Sequence, residues 1–196
     1  DAKLVAAELQ ITLTSKPMGK DLRVPLAGVP YHSIDGHVAK LVARGYRVAI
    51  CEQLADPAEV KGLVPRDVVR VVTAGTVTSD TSLDAAAPNY LAALAVRKGA
   101  AALALADITT GEVRLASAGE AEAELARSAP AELLVEDPVD QPGGYGGVLV
   151  TRPRLSELAV SAELARQFGD HAAATLAASP AEQAALAHLL AYLRET

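Results

Sequence analysis

The sequence has no tryptophan, one cysteine (Cys51), one methionine and only 3% aromatic residues. A single cysteine excludes a disulfide framework and any zinc site built on cysteines, and it suits a reducing cytoplasm. With five tyrosines and one phenylalanine, little is available for stacking on unpaired bases. No apolar run approaches the ~18–20 residues that span a bilayer, and no apolar leader with a cleavage site opens the chain, so no membrane partner is expected. What is present points to a folded, soluble protein. Half of the 196 residues are hydrophobic (51%) and 21% are charged, which rules out wholesale disorder and leaves room for one or two domains.

The net charge of −6 argues against a nucleic-acid binder, but the charge is unevenly spread. Residues 1–73 carry ten Lys/Arg and eight Asp/Glu; residues 74–196 carry eight and sixteen. The first part, near neutral, can meet a phosphate backbone if its cations cluster; the second repels one. Two modules with different partners follow from this asymmetry.

Patterning predicts the elements. Asp1 is not a methionine, and the chain opens inside an apolar-periodic stretch (Leu4, Val5, Leu9), so a segment upstream is expected. Residues 11–14 alternate as a short strand. A Pro/Gly-containing loop follows, with Lys16, Lys20 and Arg23, and a helix starts near His32-Ser33. Its stripe is Ile34, Val38, Leu41 and Val42, and Gly45 stands where a left-handed cap is favoured. Residues 47–53 read as a buried strand holding Cys51 as a core residue, and residues 67–73 as a β-branched strand. Residues 74–88 shift to Ala, Gly, Thr, Ser and Asp, the composition of a boundary.

Three strands over 90–96, 101–108 and 112–116 are joined by short turns and so run antiparallel. Ser117 to Glu120 has the form of a capping box opening a helix to about Arg127. Short strands at 133–135 and 148–150 and two helices complete the chain. The last helix has Ser179 as N-cap, Pro180 at its first position and Glu182 at its third. Three antiparallel strands followed by alternating helix and strand is an RNase H-like order.

That order invites a nuclease reading, with Asp84, Asp107, Glu136 and Asp137 as candidate metal-binding carboxylates. The first strand supplies no acid, and Asp107 before a Thr-Thr-Gly turn has the ordinary role of a capping side chain. His32, His37, His171 and His188 lack ligand spacing, so no metal is expected. The glycine-rich run 143–147 is not followed by Lys-Ser/Thr, so no nucleotide loop and no catalytic site are expected within the chain. Lys16, Lys20, Arg23 and the helix start at His32-Ser33 suit phosphate contacts, and they equally suit solvated loop charges.

Several adjoining stretches resemble one family: Pro25-Leu-Ala-Gly-Val-Pro-Tyr-His32, Gly45-Tyr-Arg-Val-Ala-Ile-Cys-Glu-Gln53, Asp56-Pro57, Lys61-Gly-Leu-Val64, Arg66-Asp-Val-Val-Arg-Val-Val-Thr73 and Gly75-Thr76. In order and spacing they are similar to the mismatch-binding domain of the MutS family of DNA mismatch repair proteins. Asn89-Tyr-Leu-Ala92, Asp107-Ile-Thr-Thr-Gly-Glu112 and Pro130-Ala-Glu-Leu-Leu134 are similar to the connector domain that follows it. Leu26 and Ala74 depart from the family's usual Met and Pro.

The resemblance implies an α/β chain. A mixed-sheet mismatch-binding domain truncated at its start (1–76) is followed by a linker (77–88) and an RNase H-like connector (89–196). It implies recognition of duplex DNA with mismatches or small loops, read through the cost of kinking. Leu26 falls at the family's minor-groove-facing tip, with Lys16, Lys20, Arg23 and His32 as backbone contacts. It further implies that the family's Phe-x-Glu wedge lies just before Asp1, and that a MutL-type partner is engaged through the connector. ATP and Mg²⁺ belong to the full-length ATPase, which is dimeric or tetrameric; the fragment is expected to be monomeric, cytoplasmic and nucleoid-associated. A metal-dependent nuclease or resolvase and a pure interaction module are the alternatives.

Overall fold

The computed structural model describes residues 1–19, 21–78, 88–138, 142–169 and 179–196. Contacts divide the chain into two units, one spanning Asp1–Val72 and one that begins with Thr73–Thr78 and includes the C-terminal half. Each has its own architecture.

In the first unit, α1 (Ala2–Leu9) ends on a left-handed Gln10 and is followed by β1 (Thr14–Pro17) and β2 (Arg23–Leu26). A 3-10 turn at Tyr31–Ser33 leads into α2 (Ile34–Val42), then β3 (Val48–Gln53) and β4 (Arg66–Val72). Ala6, Leu41, Val42 and Val72 are buried. A polar clasp adds to this small core: the Tyr46 hydroxyl donates to Glu8 Oε1 at 2.9 Å, and Arg44 pairs with the same carboxylate at 2.5 Å. These two donors hold the Glu8 carboxyl below its ordinary pKa. Gly45 takes the left-handed conformation expected of it (φ 84°), and Tyr46 N–H reaches back to the Leu41 carbonyl at 3.1 Å.

The strands of this unit form two antiparallel two-stranded ribbons, β1–β2 and β3–β4. The first strand lies three residues beyond the 11–14 stretch that alternation suggests. It forms where β2 is available to pair, in a register set by the turn in which Met18 N–H donates to the Leu22 carbonyl at 2.7 Å. The β3–β4 ribbon corrects the expectation of a buried strand. A register shift at Ile50/Cys51 breaks the alternation, and Cys51, Val68 and Val69 are exposed. A ribbon of two strands has no further layer to cover its faces.

The second unit is a five-stranded mixed sheet in the order β7-β6-β5-β8-β9. β5 (Tyr90–Arg97), β6 (Ala100–Asp107) and β7 (Glu112–Ala116) are antiparallel neighbours, while β8 (Glu132–Asp137) and β9 (Val148–Pro153) run parallel to β5. This is the RNase H-like arrangement. α3 (Ala121–Ser128) covers one face, packing Ala121 and Leu125 on Tyr90, Ala92, Leu103 and Leu105. The other face carries α4 (Glu157–Phe168) and α5 (Pro180–Glu195), with Leu91, Ala93, Ala104 and Leu134 beneath Leu164, Leu186 and Leu189. Alanines on both sides let helix and sheet approach closely: Ala184, Ala185 and Ala187 of α5 are fully buried.

α5 starts as its sequence dictates: Ser179 Oγ accepts from Glu182 N–H at 3.2 Å, and Glu182 Oε2 accepts from Ser179 N–H at 2.8 Å. The box expected at Ser117 does not form. Ser117 Oγ instead donates to the Glu120 carboxylate at 3.2 Å, and α3 begins after an uncapped Glu120. Among the described residues, no helix is long and apolar enough to cross a membrane.

Candidate nucleic-acid interface

The β1–β2 hairpin sorts the residues expected to meet DNA. Thr14 pairs with Leu26 and Lys16 with Val24, whereas Ser15 pairs with Pro25 and Pro17 with Arg23. Side chains directly opposite each other share a face, and alternate residues share it too. Lys16, Val24 and Leu26 therefore stand together on one face, and Arg23 stands on the other. All four are exposed. Arg23 is turned back onto β1, with Nε donating to Ser15 Oγ at 2.9 Å and Nη2 to the Ser15 carbonyl at 3.3 Å. Its charge stays exposed, but its geometry is tied to the hairpin.

His32 lies in the exposed 3-10 turn ahead of α2, beside Tyr31, which is 85% exposed. The Ser33 side chain does not cap α2; its hydroxyl donates to the Pro30 carbonyl at 2.9 Å. Asp35 occupies the first turn, where its charge competes with an incoming phosphate. Lys20 lies outside the described residues. Sequence reasoning missed Met18 and Leu22, 66% and 59% exposed at the hairpin tip. The signal was present: two large apolar residues inside a loop otherwise made of Pro, Gly and charged side chains.

Two of the four carboxylates of the nuclease alternative are committed elsewhere. Asp107 Oδ1 accepts from Thr109 N–H at 2.9 Å and from Thr109 Oγ1 at 2.6 Å, the turn-capping role expected of it. Glu136, 1% exposed, accepts from both terminal nitrogens of Arg97, with Nη2 at 2.6 Å, and lies 2.6 Å from His188 Nε2. Burial alone would raise its pKa, but the His188 and Arg97 hydrogen bonds prevail and lower it to about 2. Asp84 lies outside the described residues. Among the described residues no three His, Cys, Asp or Glu side chains converge on a metal-sized site.

The 143–147 turn is occupied by its own Tyr145, whose hydroxyl donates to the Pro130 carbonyl at 2.9 Å, and a Cβ on Gly147 would meet that hydroxyl. The cavity beside this turn and α3, about 710 Å³, is lined largely by Ala, Gly and Pro, and among the described residues its one charged lining residue is Glu122. An acidic group repels phosphates.

Comparison with known proteins covers both units. The model of MutS domain I matches residues 1–81, and that of MutS domain II matches residues 89–196. A protein of Dehalococcoides mccartyi strain BAV1 named DNA mismatch repair protein MutS is 47% identical over 137 residues, covering 69% of this chain and 16% of the relative. The protein of the same name in Symbiobacterium thermophilum is 43% identical over 176 residues, covering 86% and 20%. That of Acetivibrio thermocellus is 52% identical over 112 residues, covering 57% and 13%. The chain thus spans a fifth or less of the length of these relatives. With a domain I match on the unit that bears the open hairpin and a domain II match on the RNase H-like sheet, the chain belongs to the MutS family.

Proposed function

We propose that this chain is the mismatch-recognition and connector part of a DNA mismatch repair protein. Residues 1–76 meet duplex DNA with mispaired bases or small loops, residues 77–88 link, and residues 89–196 form the connector, which engages a MutL-type protein. The observation that carries this reading is the hairpin face on which Lys16 stands beside Val24 and Leu26, in a unit matched by MutS domain I. A cation next to exposed apolar side chains suits a groove: the ammonium neutralises a phosphate while the apolar groups lie against the sugar and base edges. A mismatch lowers the cost of unstacking, so a protein that bends DNA reads the defect as energy.

Leu26 is assigned to the minor-groove contact and Lys16 to the backbone, with Lys20, Arg23 and His32 as further backbone contacts. The ATPase chemistry, with ATP and Mg²⁺, is assigned to other parts of a full-length family member. That member is taken to be dimeric or tetrameric and nucleoid-associated in the cytoplasm, and this chain alone monomeric. The acidic second unit supports a protein partner over DNA for the connector.

The test is fluorescence anisotropy with matched and G·T-mismatched duplexes across a salt series, with strand cleavage followed on gels. Weak binding that falls with salt and is reduced by Lys16→Ala supports the proposal. Binding that ignores both salt and Lys16 refutes the assigned face, and cleavage restores the nuclease reading.

A further inference from the structure

The chain has one methionine, and the fold puts it in the open. Met18 follows the last residue of β1, and its N–H donates to the Leu22 carbonyl at 2.7 Å. That bond carries the β1–β2 ladder one pair beyond Pro17–Arg23. Alternation then returns Met18 and Leu22 to the face of Lys16, Val24 and Leu26, with Pro17 and Arg23 on the other. The hairpin therefore presents four large exposed apolar side chains in one stripe, from Leu26 at its base to Met18 and Leu22 at its tip.

The charge on this face selects what can cover it. Its residues are Thr14, Lys16, Met18, Leu22, Val24 and Leu26, so it holds one cation and no carboxylate. An apolar stripe with a lone ammonium inside it complements an anionic rail beside an apolar floor, which is the surface of a duplex groove. The tip is continuous with the part of the face already assigned to DNA, and it places Met18 and Leu22 farther along the same groove.

Valine and leucine are chemically inert in such a contact, whereas a thioether is not. Met18 sulfur can attack hydrogen peroxide: an S–O bond forms, the O–O bond breaks, sulfur is oxidised by two electrons to the sulfoxide and the peroxide is reduced to water. The product is polar where the groove contact needs an apolar group, and it is uncharged. We infer that Met18 extends the DNA-facing surface to the hairpin tip and makes it peroxide-sensitive, so that sulfoxide formation there weakens duplex binding. The occupant, duplex DNA, rests on the function proposed above; the exposure and reactivity of Met18 do not.

The whole chain is treated with hydrogen peroxide in a Cys51→Ser background, since Cys51 is also exposed and oxidisable. Peptide mass mapping is expected to place one added oxygen on Met18, and an excess of duplex DNA to slow that addition about fivefold. In fluorescence anisotropy the oxidised chain should bind duplex about fivefold more weakly with an unchanged salt slope, because a sulfoxide removes apolar contact and no charge. Met18→Leu should bind as the unoxidised chain does and ignore peroxide, and Met18→Gln should bind weakly without it. Complete sulfoxide formation with unchanged affinity overturns the inference, as does an equal loss on peroxide treatment of Met18→Leu. A loss of affinity that also removes the Lys16-dependent part of the salt slope overturns it too, since the hairpin itself has then come apart. If the untreated chain binds no duplex, the DNA reading fails. Binding that depends on Lys16 but not on the oxidation state of Met18 leaves that reading standing and refutes only the role of Met18.

Discussion

Replacing Glu136 by Gln keeps the side chain's shape and removes its charge, which leaves the Arg97 guanidinium and the His188 ring buried without an anionic partner. The size of the effect follows from linkage. The Glu136 carboxyl is lowered from 4.5 to about 2 because the hydrogen bonds from His188 and Arg97 outweigh the opposing effect of burial. A folded-state pKa below the unfolded one means that the native state holds its proton less tightly. The associated stability is complete above the unfolded value and is lost as pH falls through the folded one. At about 1.4 kcal/mol per unit, the carboxylate contributes about 3 kcal/mol at neutral pH, roughly 1 kcal/mol at pH 3, and almost nothing by pH 2. With no tryptophan to report, urea unfolding is best followed by far-UV circular dichroism. The expected result is a Glu136→Gln deficit of about 3 kcal/mol at pH 7 that narrows to roughly a third by pH 3. A deficit of the same size at both pH values, or none at pH 7, would refute the reasoning, since either means that the ionised pair does not set the stability.

Three further outcomes are expected. Gly75→Ala places a methyl group 2.9 Å from Leu91 Cβ, and overpacking of this kind is expected to cost about 1–3 kcal/mol, read as a lower midpoint in the same urea assay. Ser179→Ala removes the acceptor for Glu182 N–H at the start of α5 and should cost about 1 kcal/mol. Lys16→Ala should weaken duplex binding and reduce the salt slope by about one counterion, while Arg23→Ala, whose guanidinium is held on Ser15, should change both by less; anisotropy at two or more salt concentrations separates the two.

The second unit was legible because each of its elements is specified twice. The short turns at Lys98-Gly99 and Thr110-Gly111 require antiparallel neighbours, and the continuous apolar runs of β5 and β6 require cover on both faces, which α3 and α5 provide. The first unit was less legible because its strands lie in two-stranded ribbons, where pairing rather than burial decides what becomes a strand. Apolar composition there does not mean core, as exposed Cys51, Val68 and Leu63 demonstrate. The same condition scattered the candidate contacts: period-2 alternation put Lys16 and Leu26 on one face and Arg23 on the other, a division invisible until the Lys16–Val24 pairing is known.

The buried carboxylates were the harder case, and the reason is physical. Glu132 and Glu136 stand four apart on β8, so both point to the face beneath α5; His188 and Tyr192 stand four apart on α5, on one face of that helix. Read singly, an acid at either end of an apolar strand is most simply a solvated strand end, and a histidine or tyrosine in an apolar helix is a core residue. Only the antiparallel placement of helix over strand brings Glu132 to Tyr192 and Glu136 to His188. Spacing within an element reveals which residues share a face; which partner that face meets is a property of topology. The two carboxylates then differ in what the rest of the fold supplies. Arg97, at the end of β5, brings Glu136 a cation and so a pKa held far below the usual range. The turn over residues 73–76 brings Glu132 only neutral donors, and through them the end of β4. Of the two, Glu136 is the one whose removal should read out as lost stability against acid.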